Sequence, residues 1–177
     1  MTVSSLKQSR PNSLKPKINW ARSEEADNFA KTVKLFRQGK YDAASFRRFR
    51  LQHGAYGTRM TSDYAMVRIK IPAGELYPQQ LEKISQLSEQ FSIGSAHLST
   101  RESIQLHWIV LEDVSEIFRG LAEVGLTSRE ACGNSIRNIM CSPLSGVCPD
   151  EEFDTTPYAL ATAKFFLRNP MTQNLPR

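Results

Sequence analysis

No run of apolar residues in this 177-residue sequence reaches the roughly 18 that a membrane helix requires, and the N-terminus lacks the apolar core of a signal peptide. No membrane partner is therefore indicated, and a cytoplasmic protein is expected. Cysteine is scarce: Cys132, Cys141 and Cys148 are the three in the chain. An odd count at wide spacing excludes a disulfide framework as the organising principle. Without a Cys-x-x-Cys pair, neither a zinc site nor a complete iron–sulfur site is supported, which leaves three small thiols of ordinary packing. There is no glycine-rich phosphate loop, no Ser-His-Asp order and no His-x-x-x-His pair. Internal repeats and low-complexity tracts are also missing. Acids are absent from the first 21 residues, where Lys7, Arg10, Lys15 and Lys17 stand with two prolines.

That opening stretch reads as an extended basic arm, a solvated tail able to steer an acidic partner. No aromatic residue interleaves with its charges before Trp20, so no nucleic-acid partner is indicated. Beyond it, 40% hydrophobic and 23% charged residues, with a net charge of +5, describe one domain with a packed core.

Ser23 is placed to cap a helix running to about Gln38, with Phe29, Val33 and Phe36 at helical spacing and Gly39 at the exit. His53-Gly54-Ala55-Tyr56-Gly57 looks like a turn or loop. From Asp63 to Ile71 the pattern alternates, with Ala65, Val67, Ile69 and Ile71 on one face of a strand and Tyr64, Met66, Arg68 and Lys70 on the other. Pro78 opens a helix with the stripe Leu81, Ile84, Leu87 and Phe91. Two strands, 95–100 and 103–111, follow around a tight turn at Arg101-Glu102. On the second, Gln105, His107 and Ile109 share one face, and Ile104, Leu106, Trp108 and Val110 the other. Asp113 and Glu116 start a helix with the stripe Ile117, Leu121 and Val124, closed by Gly125. Residues 134–141 are a fourth strand candidate. The order strand, helix, strand, strand, helix, strand is that of an α+β, ferredoxin-like split β-α-β-β-α-β half-domain. Residues 143–154 form a loop, and Thr156-Pro157 starts a last helix to about Leu167.

The chemistry-bearing candidates are Arg68 in a strand, Arg101 in the strand–strand turn and Arg137 in the last strand candidate. Guanidiniums are permanently charged planar forks that match carboxylates and oxyanions. Three on one sheet repel one another unless anions offset them. The blander alternative is that each sits at a solvated edge or pairs with its own acid. His107 is a strand histidine, more often structural than catalytic.

Three ordered segments carry a resemblance. His97-Leu98-Ser99-Thr100-Arg101-Glu102-Ser103-Ile104-Gln105-Leu106-His107-Trp108 resembles the Thr-Arg-Gln-x-x-Gln-x-His segment of the nitrite and sulfite reductases. Cys132-Gly133-Asn134-Ser135-Ile136-Arg137-Asn138, continuing to Pro143, is similar to their Gly-Asp-x-x-Arg-Asn-x-x-x-x-Pro segment. Met66-Val67-Arg68-Ile69-Lys70-Ile71-Pro72-Ala73-Gly74 resembles their Arg-x-Arg-x-Pro-x-Gly strand end. The resemblance spans roughly residues 40 to 177.

It implies six-electron reduction of sulfite to sulfide or of nitrite to ammonia, with sirohaem and a 4Fe-4S cluster as the cofactors of the complete enzyme and none expected on this chain alone. The matching positions for cofactor binding are Arg68, Thr100, Arg101, Gln105, His107, Arg137 and Asn138. Arg68 and Arg137 also belong to the anion pocket, and so are the catalytic candidates. Glu102 stands where the family usually has Gln, and Asn134 where Asp is usual. The Leu-Pro-Arg motif normally leads into a Lys-x-Lys pair, and here Leu175-Pro176-Arg177 is the end of the sequence. The family's four cluster cysteines, Cys-x5-Cys and Cys-x3-Cys, do not match the three present.

The expected organisation is a basic arm over 1–22, a helical and loop extension over 23–58, the half-domain over 59–141 and the truncated start of the sirohaem-binding domain over 142–177. The implied function is that of an N-terminal fragment of a sulfite or nitrite reductase, inactive alone. Its expected partners are the missing C-terminal half, a ferredoxin or flavoprotein donor, a small oxyanion and, by self-association, a second copy. The alternatives are a stand-alone tetrapyrrole-binding module, a subunit of a split reductase, or a relative acting on cobalamin precursors.

Overall fold

The computed structural model describes residue 16, residues 18–58 and residues 63–176. The expected basic arm lies largely outside these. Two helices come first, α1 (Glu24–Arg37) and α2 (Ala43–Gln52). Asp42 caps α2, its Oδ1 accepting from the Ser45 amide at 2.9 Å. Ser23, by contrast, has helical backbone angles and makes no capping bond, so α1 starts without the expected cap. Glu24, Glu25 and Asp27 in the first turn complement the helix dipole instead.

The sheet has four antiparallel strands: β1 (Ala55–Gly57), β2 (Tyr64–Ile69), β3 (His97–Leu98) and β4 (Ile104–Val110), in the order β1-β2-β4-β3. Helix α3 (Pro78–Phe91) joins β2 to β3, α4 (Val114–Glu123) follows β4, and α5 (Thr156–Phe166) comes last. Together these make the α+β, ferredoxin-like half-domain.

Two expectations are corrected. Residues 53–57 are not all turn, because Ala55–Gly57 is the edge strand β1. Residues 134–141 form no strand; their one ladder contact is a bridge between Ser135 and Gln173. The edge of β2 that a last strand would occupy is already paired to β1, with Ala55 opposite Val67. The segment instead crosses the end of the sheet, where the Ala73 amide donates to the Ile139 carbonyl at 2.9 Å.

The core lies between one sheet face and the helices. Ala65, Val67, Ile69, Ile104 and Leu106 meet Ile84 and Leu87 of α3, Ile117 and Leu121 of α4, and Phe29 and Val33 of α1. In α3 the expected stripe is rotated. Leu81 is 55% exposed, whereas Gln80 is buried, donating to the Val124 carbonyl at 3.0 Å.

A bulge in β4 changes the expected faces. Val67 pairs with Leu106 but Ala65 with Ile109, so His107 and Trp108 together face Met66. Trp108 takes φ +59° to make this offset. Ile109 consequently turns into the core, while Trp108 and Val110 are exposed on the outer side, Trp108 packing edge-on against Tyr64.

Candidate functional site

The outer sheet face carries the polar groups. Arg68 on β2 lies opposite Gln105 on β4, and Gln105 lies opposite His97 on β3. His107 is two residues along, its ring 6.4 Å from that of His97. Burial, the neighbouring His97 and Arg68 all lower the His107 pKa.

At the end of this face three guanidiniums from separate segments surround one recess. Arg68 comes from β2, Arg101 from the β3–β4 turn and Arg137 from the crossing segment, with Lys70, Ser103, Ala131 and Asn138 completing the lining. Arg68 stacks over the Tyr56 ring, 5.3 Å from its centroid. Arg137 donates to the Gly133 carbonyl at 3.1 Å and reaches the Tyr56 hydroxyl at 3.5 Å. Arg101 donates to the Asn138 carbonyl at 3.2 Å.

Among the described residues none of these three arginines pairs with a carboxylate. Arginines elsewhere do: Arg37 with Asp63 and Glu112, Arg119 with Asp27 and Glu116, Arg168 with Glu25. The Nε of Arg68 is buried without a partner. A buried donor left open costs roughly 1–3 kcal/mol, so Arg68 has room for one more acceptor; Asn138 Oδ1, also on the recess, is likewise buried without a partner.

Asn138 is 4% exposed, and its amide donates to the Ile71 carbonyl at 2.8 Å and the Arg101 carbonyl at 3.0 Å. Thr100 is exposed beside Arg101 and lines no part of the recess, nor do Gln105 and His107. Glu102 does not neutralise Arg101. With φ +54° it turns away toward Gly74, where it borders a separate cleft of about 460 Å³.

Sequence reasoning missed Lys70 and Tyr56. Lys70 shares the strand parity of Arg68, a usable signal; Tyr56 stood in a presumed turn and gave none. Cys132 lies beside Tyr56, and burial pushes its thiol up to about 12 although Tyr56, Arg68 and Arg137 oppose the shift. Among the described residues no three metal-ligating side chains come together, and no helix is long and apolar enough to cross a membrane.

Two family models match in succession. Residues 56–124 match the nitrite/sulfite reductase ferredoxin-like half domain, and residues 132–177 the nitrite and sulphite reductase 4Fe-4S domain. The chain belongs to the nitrite and sulfite reductase family. Sulfite reductase [ferredoxin] 1 of Mycolicibacterium paratuberculosis is 39% identical over 119 residues, covering 67% of this chain and 21% of that protein. The chloroplastic ferredoxin–nitrite reductase of Arabidopsis thaliana is 36% identical over 117 residues, covering 63% of this chain and 20% of that one. The solved structure of the Mycobacterium tuberculosis NirA protein superposes with a TM-score of 0.71 at 26% identity, covering 86% of this chain and 33% of that chain. This nitrite and sulfite reductase family chain thus spans about a fifth of the length of the curated relatives it matches.

Proposed function

We propose that this chain is the N-terminal part of a sirohaem-dependent sulfite or nitrite reductase, contributing contacts to sirohaem carboxylates and to the substrate anion. The observation that carries the reading is the recess with three guanidiniums from three segments and no carboxylate partner among the described residues. The residues fit a polycarboxylate group: Arg68 has an unmet buried donor and Arg101 is exposed at the rim.

In this reading Arg101 and Thr100 meet carboxylates at the rim, while Gln105 and His107 line the adjoining sheet face. Arg68 and Arg137 hold the small oxyanion by charge-assisted hydrogen bonds fixed before it arrives. Asn138 keeps the Arg101 turn in place. Sirohaem, when bound, supplies the electrons to the oxyanion. The three cysteines do not fit a cluster, so the 4Fe-4S ligands come from the remainder of the reductase, and that remainder and an electron donor such as ferredoxin or a flavoprotein are the proposed partners. Alone, the chain does not turn over and self-associates through the surfaces the remainder covers.

Titrating sirohaem into a full-length version of the protein and following its absorption tests this. Saturable binding that Arg101→Ala weakens by roughly tenfold, the loss of one charge-assisted contact, is expected. Equal affinity of wild type and variant removes Arg101 from the site, and no binding at all removes the reading.

A further inference from the structure

Lys70 is a charged side chain at the floor of the arginine recess, 4% exposed. Two residues beyond Arg68, it projects to the same side of the chain. Its ammonium has three donors, yet its one hydrogen bond among the described residues is to the Ile136 carbonyl, at 3.4 Å. A buried ammonium is expensive unless paired or hydrogen-bonded.

Lys70 also has no ion pair among the described residues; the nearby acid is occupied elsewhere. Glu130, 1% exposed, accepts from the Arg168 amide at 3.2 and 3.0 Å and from the Gln173 side chain at 3.1 Å. It is a countercharge at a distance, raising the Lys70 pKa while burial and Arg168 lower it, to about 8. The remaining charges around Lys70 are Arg68, Arg101 and Arg137 across the recess.

We propose that Lys70 is a fourth anion-binding cation of this recess, a buried ammonium with free N–H donors whose charge Glu130 sustains. The proposal rests on the reading of the recess as an oxyanion and carboxylate site. The enclosed space, about 10 Å³, suits about one water molecule. The anion therefore rests at the mouth on the guanidiniums, and Lys70 acts from the floor by its charge and through a bridging water. The arginines stay charged throughout the accessible pH range, so Lys70 alone of the four can switch.

Sulfate, whose own charge is constant between about pH 6.5 and 10, is the probe. It is titrated into the purified 177-residue chain at fixed ionic strength, with the Lys70 Cε and arginine Nε resonances followed by NMR. Sulfate should raise the midpoint of the Lys70 titration, and its affinity should fall as pH rises through about 8. Lys70→Met should bind roughly three- to tenfold more weakly near pH 7 and lose the pH dependence. Glu130→Gln should move that dependence to lower pH. Sulfate that shifts the arginine resonances but leaves the Lys70 midpoint unmoved overturns the proposal and leaves the recess standing. Absence of any sulfate binding overturns both. The wild-type titration decides the matter even where a variant fails to fold.

Discussion

Arg101 and Asn138 grip each other's backbones: the Arg101 guanidinium donates to the Asn138 carbonyl at 3.2 Å, and the Asn138 amide donates to the Arg101 carbonyl at 3.0 Å. The same amide holds Ile71 at 2.8 Å. One buried side chain therefore ties the end of β2, the β3–β4 turn and the crossing segment together. Arg68, Arg101 and Arg137 keep their spacing because these three segments move as one.

Asn138→Ala should accordingly be a stability variant as well as a site variant. It strips the Arg101 carbonyl of its donor and leaves the Ile71 carbonyl only the Gly74 amide, at a cost of roughly 1–3 kcal/mol in urea unfolding. Asn138→Asp should be worse, since a carboxylate would face carbonyl oxygens. A loss below about 0.5 kcal/mol for Asn138→Ala would show that the staple is not formed.

His53 sets the acid limit of the fold. Its Nδ1 donates to the Phe49 carbonyl at 2.8 Å and its Nε2 accepts from Arg129 at 2.9 Å, an arrangement only the neutral ring allows. Burial first, then Arg129, hold its pKa down at about 4. The unfolded chain, with an ordinary histidine near 6.5, takes up the proton first. Stability should fall as pH drops from about 6.5 to 4 and level off below, by roughly 3 kcal/mol from this group. His53→Gln should flatten that window. An NMR midpoint for His53 near 6.5 would sink the assignment.

The positions of α1, α3, α4 and α5 were legible from their apolar spacing, although Leu81 of the α3 stripe faces out, and β2 was legible because Ala65, Val67 and Ile69 alternate into the core as the sequence spells them. What was not legible came from interactions distant in sequence. The two-for-one offset at His107 and Trp108 inverts the parity of Ile109, and alternation alone cannot announce a bulge. Residues 134–141 alternate well enough to resemble a strand, but β1 had taken their place on β2. At the site, Arg68, Arg101 and Arg137 stood out by residue type and motif. Lys70 did not, because a lysine alternating with isoleucines reads as a solvated face until Ala131 and Asn138 are seen to close over it.

Gly54 is the point at which β1 is pinned to the loop after α4. Its φ is +82°, and a Cβ there would lie 2.2 Å from the Ser128 carbonyl oxygen, a backbone atom. Ser128 is itself fixed by its hydroxyl on the His53 carbonyl at 2.7 Å. Gly54→Ala should therefore cost well over 2 kcal/mol or prevent folding. Gly39→Ala, at φ +71° with nothing within 4 Å, should cost only about 1 kcal/mol. Equal effects in thermal melts would mean that conformational strain, not the contact with Ser128, governs both.

If Lys70 is retained for its charge, it should be a liability to the fold. Its pKa in the folded chain, about 8, lies below that of an unfolded lysine, near 10.5. The unfolded chain then binds the proton more tightly, so the penalty is fully present below about pH 8 and is relieved as pH rises toward 10.5. The shift corresponds to roughly 3 kcal/mol. Lys70→Met keeps the length and packing of the side chain without the charge, and Glu130 retains its bonds to Arg168 and Gln173. The variant should be more stable than wild type at pH 7, by up to about 3 kcal/mol, with the gain vanishing by about pH 10.5. Urea midpoints of both proteins at these two pH values measure it. A variant less stable at pH 7 would mean that the ammonium is well satisfied in the folded chain, and its open donors would no longer need an anion.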